Sequence, residues 1–291
     1  MKTLKNADLI LNSDGSVFHL RLKPGQIAKN IILVGDPDRV AQISSCFSSV
    51  RLKIENREFI THTGIFKDKE VTVISTGIGT DNIDIVLNEL DALINIDLNL
   101  RVPRKINTPL NFIRIGTSGA LQPEIEVGSF LLSKKAIGFD GLLNYYAGVE
   151  KLSEKAFEEA IVKNILKNKR LACPYVVKAS EKLLNIFSGH QTTNGVTASA
   201  PGFYAPQGRS LRLSPFQKDL NNSIIQFRFK GQKITNFEME SSAIYGLSRL
   251  LGHNAVTLCA IIANRVTQEY LSDYTPIMNK LVEYVLNNLP E

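Results

Sequence analysis

Short apolar runs alternate with amphipathic stretches along the whole chain. That alternation predicts an α/β layer protein built on one central sheet. Asn30–Val34 (NIILV) reads as a buried strand stopped by Gly35-Asp36-Pro37. Asp36 can cap and Pro37 can take the first helical position, which predicts a helix through Arg39, Val40 and Ile43 to about Phe47. Residues 58–66 and 71–76 read as a hairpin turning at Lys67-Asp68-Lys69. A helix then follows Gly77-Ile78-Gly79, with Ile83, Val86, Leu87 and Leu90 on one face. Further strands are expected at 112–115, closing in the loop Gly116-Thr117-Ser118-Gly119, and at 128–134, 192–198 and 256–263. Helices are expected at 151–168, at 241–251 with Ile244, Leu247 and Leu251 inward, and from Thr275-Pro276 to Leu289. Residues 97–111, rich in Arg, Pro and Asn, read as a surface excursion.

Composition narrows the class without settling the domain count. With 291 residues, 44% hydrophobic and 21% charged, the chain is globular rather than disordered or fibrous. The 34 Lys and Arg against 28 Asp and Glu leave a net +6. This mild surplus suits small anions, and no basic tract with interleaved aromatics points to nucleic acid. Cys46, Cys173 and Cys259 are too scattered for a disulfide framework or a zinc site. The apolar run near the N-terminus is broken by Asp8, and the longest uncharged, mostly apolar run, 255–264, is about half a membrane span. A cytoplasmic protein without a membrane partner is expected.

Three strands end in small-residue loops, at Gly35, at Gly77 and at Gly116. Ligands of open α/β sheets bind beyond strand carboxyl ends, where glycines let backbone N–H groups approach an anion. None of the three matches G-x-G-x-x-G or G-x-x-x-x-G-K-[ST], which disfavours dinucleotide and P-loop enzymes. Arg39 sits in the first turn of its helix, the end where a cation is unfavourable unless an anion occupies it. Arg114 lies inside the apolar strand FIRIG and, buried, needs a partner, either a structural acid or a ligand. Glu238 and Glu240 flank Met239 where an apolar helix begins, and in an extended turn both could grip neighbouring hydroxyls. The loop FYAPQGR (203–209) offers an aromatic, an amide and a guanidinium, a set able to stack on a flat ring and read its edge. The four histidines lack metal spacing, and no G-x-S-x-G elbow is present.

These motifs in this order resemble the nucleoside phosphorylase-I family, closest to its uridine-cleaving branch. The matching pieces are VFHL (17–20), GDPDRV (35–40), REF (57–59), STGIG (75–79), RIGTSGALQP (114–123), VGSFLL (127–132), FYAPQGR (203–209), NFEMES (236–241) and IANRVTQE (262–269). The resemblance implies a single-domain three-layer α/β/α sandwich, with a mixed and partly barrel-like central sheet, over residues 1–291. It implies a pentosyltransferase that cleaves uridine with phosphate to give uracil and ribose 1-phosphate. Phosphate would be held by Gly35, Arg39, Arg114 and Thr117, with Arg57 from a neighbouring subunit. Ribose would be held by Thr117, Met239 and Glu240, with the neighbour's His19 at the 5′-hydroxyl. The base would meet Ser118, Gly119, Phe203, Gln207, Arg209, Glu238 and Ile262, with Arg39, Arg114, Gln207 and Arg209 carrying catalysis.

Purine-acting relatives carry an aspartate in the loop that here reads Ala263-Asn264-Arg265, so a purine phosphorylase or nucleosidase is the alternative, with a non-catalytic nucleoside-binding relative as a second. Where the family has FYPGQxR, this chain has alanine and proline before Gln207. No cofactor is implied beyond the co-substrate phosphate and a monovalent cation at Glu58, Ile78 and Asn82, with asparagine where some relatives have serine. A homo-oligomer, at least a dimer, is implied because His19 and Arg57 would complete a neighbour's site.

Overall fold

The computed structural model describes residues 3–291; Met1 and Lys2, which open the N-terminal segment read above, lie outside them. The first half of the chain runs β1 (Asn30–Val34), α1 (Asp38–Ser44), β2 (Ser49–Asn56), β3 (Phe59–Phe66), β4 (Lys69–Ser75), α2 (Thr80–Asn95), β5 (Ile96–Asp97), β6 (Val102–Pro103), β7 (Asn111–Ala120) and β8 (Phe130–Gly138). The second half runs α3 (Lys155–Asn164), β9 (Tyr175–Lys178), α4 (Glu181–Phe187), β10 (Thr192–Ser199), α5 (Leu220–Gln226), β11 (Asn236–Glu238), α6 (Ser241–Leu251), β12 (Asn254–Asn264) and α7 (Thr275–Asn287).

Ten strands form one mixed sheet in the order β11-β10-β8-β12-β7-β1-β4-β3-β2, with β9 on β8. An antiparallel pairing of β11 with β7, at Asn236–Ala120 and Phe237–Gly119, closes the first five of these into a barrel. The open remainder is the β1–β4 blade. Two apolar layers cover the sheet. Phe112 and the α2 and α6 faces (Ile83, Val86, Leu87, Leu90, Ile244, Leu247) fill one side. Ile113 and Ile115, with α1, α4 and α7, fill the other. This is the expected α/β/α sandwich with a mixed, barrel-like centre.

Several boundaries differ from the sequence reading. The stretch 116–119 is not a loop but the continuation of β7, which pairs with β12 as far as Ala120. The helix expected over 151–168 is only α3, because Gln217 intervenes: its Nε2 donates to the Ile165 carbonyl (2.8 Å) and its Oε1 accepts from Lys167 N (3.1 Å). β2, an exposed edge strand with charged residues at Arg51, Lys53 and Glu55, escapes the reading because it buries no side chain fully. α1 ends at Ser44 rather than at Phe47.

Candidate active site

β1, β4, β7 and β12 lie parallel, so their carboxyl ends open on one edge of the sheet. Gly35 and Gly77, from adjacent strand ends, approach so closely that a Cβ on Gly35 would stand 3.4 Å from the Gly77 carbonyl. Asp36 Oδ1 accepts from Asp38 N at 3.0 Å, closing the turn into α1 as its position suggested.

Arg114 is the centre of this edge. It is buried, hydrogen-bonded to Glu240, 3.5 Å from Glu238 and 3.6 Å from Cys259 Sγ. Burial lowers its pKa, but Glu240 and then Glu238 outweigh that and raise it. The guanidinium leans forward over Gly116, where a Cβ would fall 2.0 Å from Nη1. Glu240, at the start of α6, also accepts from the Gly79 amide at 2.8 Å, which ties the entry of α2 to the same cluster. Desolvation raises its pKa although Arg114 opposes the shift. Met239 beside it is half-buried.

Arg39 enters from α1. It is 8% exposed, its nearest carboxylate oxygen is on Asp36 at 3.8 Å, and no other ion pair to it occurs among the described residues. Burial depresses its pKa first; Asp36 and Tyr274 support its charge, while Arg114 opposes it. Two guanidiniums from different elements therefore share one edge and repel each other, and one of them lacks a close counter-charge. Thr117, half-buried, lies three residues beyond Arg114 on β7.

Further along β7, Gly119 lies 3.7 Å (from a built Cβ) from Arg265 Nε, at the start of a second cluster. Gln207 is buried in a short helical turn, and its Oε1 accepts from Arg209 at 2.7 Å and from Arg265 at 2.8 Å. Arg265 also donates to the Gln207 carbonyl. The Arg209 guanidinium stacks 3.7 Å from the centroid of the half-exposed Phe203 ring, and Arg265 lies 5.1 Å from that of Phe237. Burial, then repulsion from Arg209, lowers the Arg265 pKa to about 10. Ile262 is half-buried at the β12 bulge that sets this turn, its carbonyl accepting from Leu271 N. With the Gln207 oxygen engaged twice, its amide nitrogen is left as the donor available to a ligand.

Ser118 and Glu238, expected at the base, are turned inward. Ser118 Oγ donates to the Phe237 carbonyl and accepts from Asn236 in the barrel closure. Glu238 receives Ser199 Oγ and the amides of Glu240 and Ser241, which caps the start of α6. His19 Nδ1 pairs with Glu89 at 2.6 Å. Arg57 lies 5.8 Å from the ring of neighbouring Phe18, and Asn56 holds the His19 carbonyl, so His19 and Arg57 share one partly exposed patch. Glu58 and Asn82 both crowd the space over Gly77 (3.3 and 2.5 Å from a built Cβ), with Ile78 exposed beside them. The atoms nearest that built Cβ are thus Asn82 Nδ2 and Glu58 Cγ.

A model of the phosphorylase superfamily matches residues 29–283. This chain belongs to that superfamily. A uridine phosphorylase of Thermococcus kodakarensis is 34% identical over 257 residues, covering 88% of this chain and 80% of the relative. One from Escherichia coli is 30% identical over 260 residues, covering 88% and 89%. The crystal structure of a Trypanosoma brucei nucleoside phosphorylase, described as showing uridine phosphorylase activity, superposes with a TM-score of 0.87. It is 29% identical and covers 97% of this chain and 99% of that one.

The candidate residues thus form one cluster around Arg39, Arg114 and Glu240 and another around Phe203, Gln207, Arg209 and Arg265, joined by β7. Arg265 is the residue that sequence reasoning passed over. Its signal was a second arginine in a short loop after an apolar strand, noticed above only for the acid it lacks.

Proposed function

We propose that this protein is a uridine phosphorylase, reversibly converting uridine and inorganic phosphate into uracil and ribose 1-phosphate. The observation that carries the reading is the pairing of two arginines beside the middle of β7 with an amide and two further guanidiniums at its carboxyl end. A phosphate oxygen, oriented by Arg39, Arg114, Thr117 and the Gly35 backbone, attacks C1′ as the C1′–N1 bond breaks. The bonding pair leaves on uracil N1, and negative charge spreads to the ring oxygens. Gln207 Nε2 and the Arg209 and Arg265 guanidiniums are aimed where that charge develops, which is where a fixed donor lowers the barrier most. Glu240 accepts from the ribose hydroxyls and keeps Arg114 charged. Gly119, Phe203 and Ile262 frame the ring.

The chemistry as written uses no redox or metal cofactor. Glu58 and Asn82 would offer a monovalent cation an anionic and a neutral oxygen beside Ile78. His19 and Arg57, side by side on one patch, support a homodimer at minimum, each reaching a neighbour's ribose 5′-hydroxyl and phosphate. No helix among the described residues is long and apolar enough to cross a membrane. Nucleoside and phosphate as substrates support a cytoplasmic location. The test is product analysis with uridine or inosine, each with and without phosphate. Uridine consumed only with phosphate supports the proposal; base release without phosphate, or a preference for inosine, overturns it.

A further inference from the structure

The Arg265 guanidinium keeps its place against two opposing effects, burial and the neighbouring Arg209 charge. Neutral groups hold it instead, the carbonyl and side-chain oxygens of Gln207. Residues 266–270, which follow it, are exposed, so the buried part of the strand ends at Asn264. Asn264 is the last residue of β12 and is 2% exposed. Its Nδ2 donates to the Gln122 and Ile125 carbonyls, each at 2.9 Å. Its Oδ1 accepts from Val266 N at 2.9 Å and from Thr267 N at 3.2 Å. Both donors and both lone pairs of the amide are thereby engaged by backbone. The two carbonyls belong to the turn that leaves β7, the two amides to the turn that leaves β12, and Arg265 stands between them. Its own N donates to the Ala120 carbonyl at 3.0 Å, and Gln268, left-handed at φ 63°, donates to the Arg265 carbonyl at 2.6 Å.

We propose that Asn264 is a positioning residue for uracil recognition: its amide clamps the turns after β7 and β12 together and so aims Arg265 at Gln207. The proposal rests on the uridine reading, in which Arg265 and Gln207 face the departing base. Buried and saturated, Asn264 has no donor or acceptor left for a substrate and acts only through the backbone it holds. Removing its amide takes a donor from two buried carbonyls and frees the peptide that carries Arg265. A guanidinium opposed by its surroundings then gains by swinging toward water, away from Gln207.

Asn264→Ser is too short to span both turns but can still accept from the Val266 or Thr267 amide. Uridine kcat/KM at saturating phosphate should fall by about tenfold or more, while the phosphate KM stays within about twofold. The double variant decides: with Arg265→Ala already present, adding Asn264→Ser should lower uridine kcat/KM by no more than about twofold. Losses that multiply overturn the inference, because Asn264 would then act independently of Arg265. So does a uridine kcat/KM in Asn264→Ser within about twofold of wild type, or an equal loss in phosphate KM. Hydrogen-exchange mass spectrometry of the wild-type protein reads the clamp without any substitution. The Val266 and Thr267 amides should exchange at least about 10²-fold more slowly than in an unstructured chain, and unprotected amides overturn the inference. A wild-type protein that prefers inosine, or releases base without phosphate, would instead sink the uridine reading itself.

Discussion

Gly116→Ala is the most informative perturbation of the anion end. A methyl at this position would stand 2.0 Å from Arg114 Nη1, 2.8 Å from Cζ and 3.1 Å from Nη2, so no rotation of the guanidinium in place relieves it. Restoring ordinary contact at about 3.4 Å requires Arg114 to retreat by about 1.4 Å. Taking charge centres about 3 Å apart and an effective dielectric of about 20, that retreat weakens the attraction to Glu240 from roughly 5.5 to 3.8 kcal/mol. Adding about 1 kcal/mol for the spoiled hydrogen bond gives a loss of about 3 kcal/mol, at the low end for breaking a buried pair. For a chain of 291 residues the melting temperature should fall by about 5 °C. A displacement of this length at a group that positions a reactant should also lower kcat/KM for phosphate by about 10²-fold. Differential scanning fluorimetry and initial rates of uridine loss read the two effects. A melting temperature within about 1 °C of wild type, with kcat/KM for phosphate within about twofold, would refute the packing of Arg114 against Gly116.

Arg39→Ala should lower kcat/KM for phosphate by about 10²–10³-fold. Because it removes a buried cation with no close acid, its melting temperature without phosphate should not fall; a clear destabilisation would mean Arg39 is structural. Gln207→Glu puts a carboxylate between two guanidiniums, so the fold should hold or gain stability while the uridine KM rises about tenfold for want of the amide donor. An unchanged uridine KM would put base reading elsewhere. Burial pushes the Cys259 thiol to about 12, so at pH 8 only about one molecule in 10⁴ carries the thiolate there. Native protein should therefore titrate two fast thiols, Cys46 and Cys173, and release the third only on unfolding; three fast thiols would contradict the buried site. Mixing Arg39→Ala with Arg57→Ala subunits should restore up to about a quarter of wild-type activity after exchange, since a mixed dimer rebuilds one site. No recovery despite demonstrated exchange would mean the two arginines act in the same subunit.

Much of the site was legible because its residues break local rules. A cation at a helix start and an arginine inside FIRIG are costly without a ligand or a partner, and the two lie near each other at one sheet edge. The paired carboxylates after β11 were legible as a pair but not as a division of labour. Only three-dimensional closure shows Glu238 capping α6 while Glu240 holds Arg114 and the Gly79 amide. The inward bonding of Ser118 Oγ escaped the sequence for a related reason: period-2 alternation cannot say that β7 runs on through Gly116 and Gly119 to close a barrel against β11. Arg265 went unassigned because its partner, the Gln207 side chain, lies 58 residues away and no local spacing links them. The edge strand β2 buries too little to leave an apolar signature, whereas β1 and α6, buried on periodic faces, were read with their boundaries.

A crystal structure of the protein with inorganic phosphate and uracil tests the central claim most directly. The expected result has phosphate within hydrogen-bond distance of both Arg39 and Arg114, and uracil edge-on to Gln207, with Arg209 or Arg265 at a ring oxygen. Phosphate bound away from either arginine, or uracil lodged outside the Gln207 cluster, would contradict it.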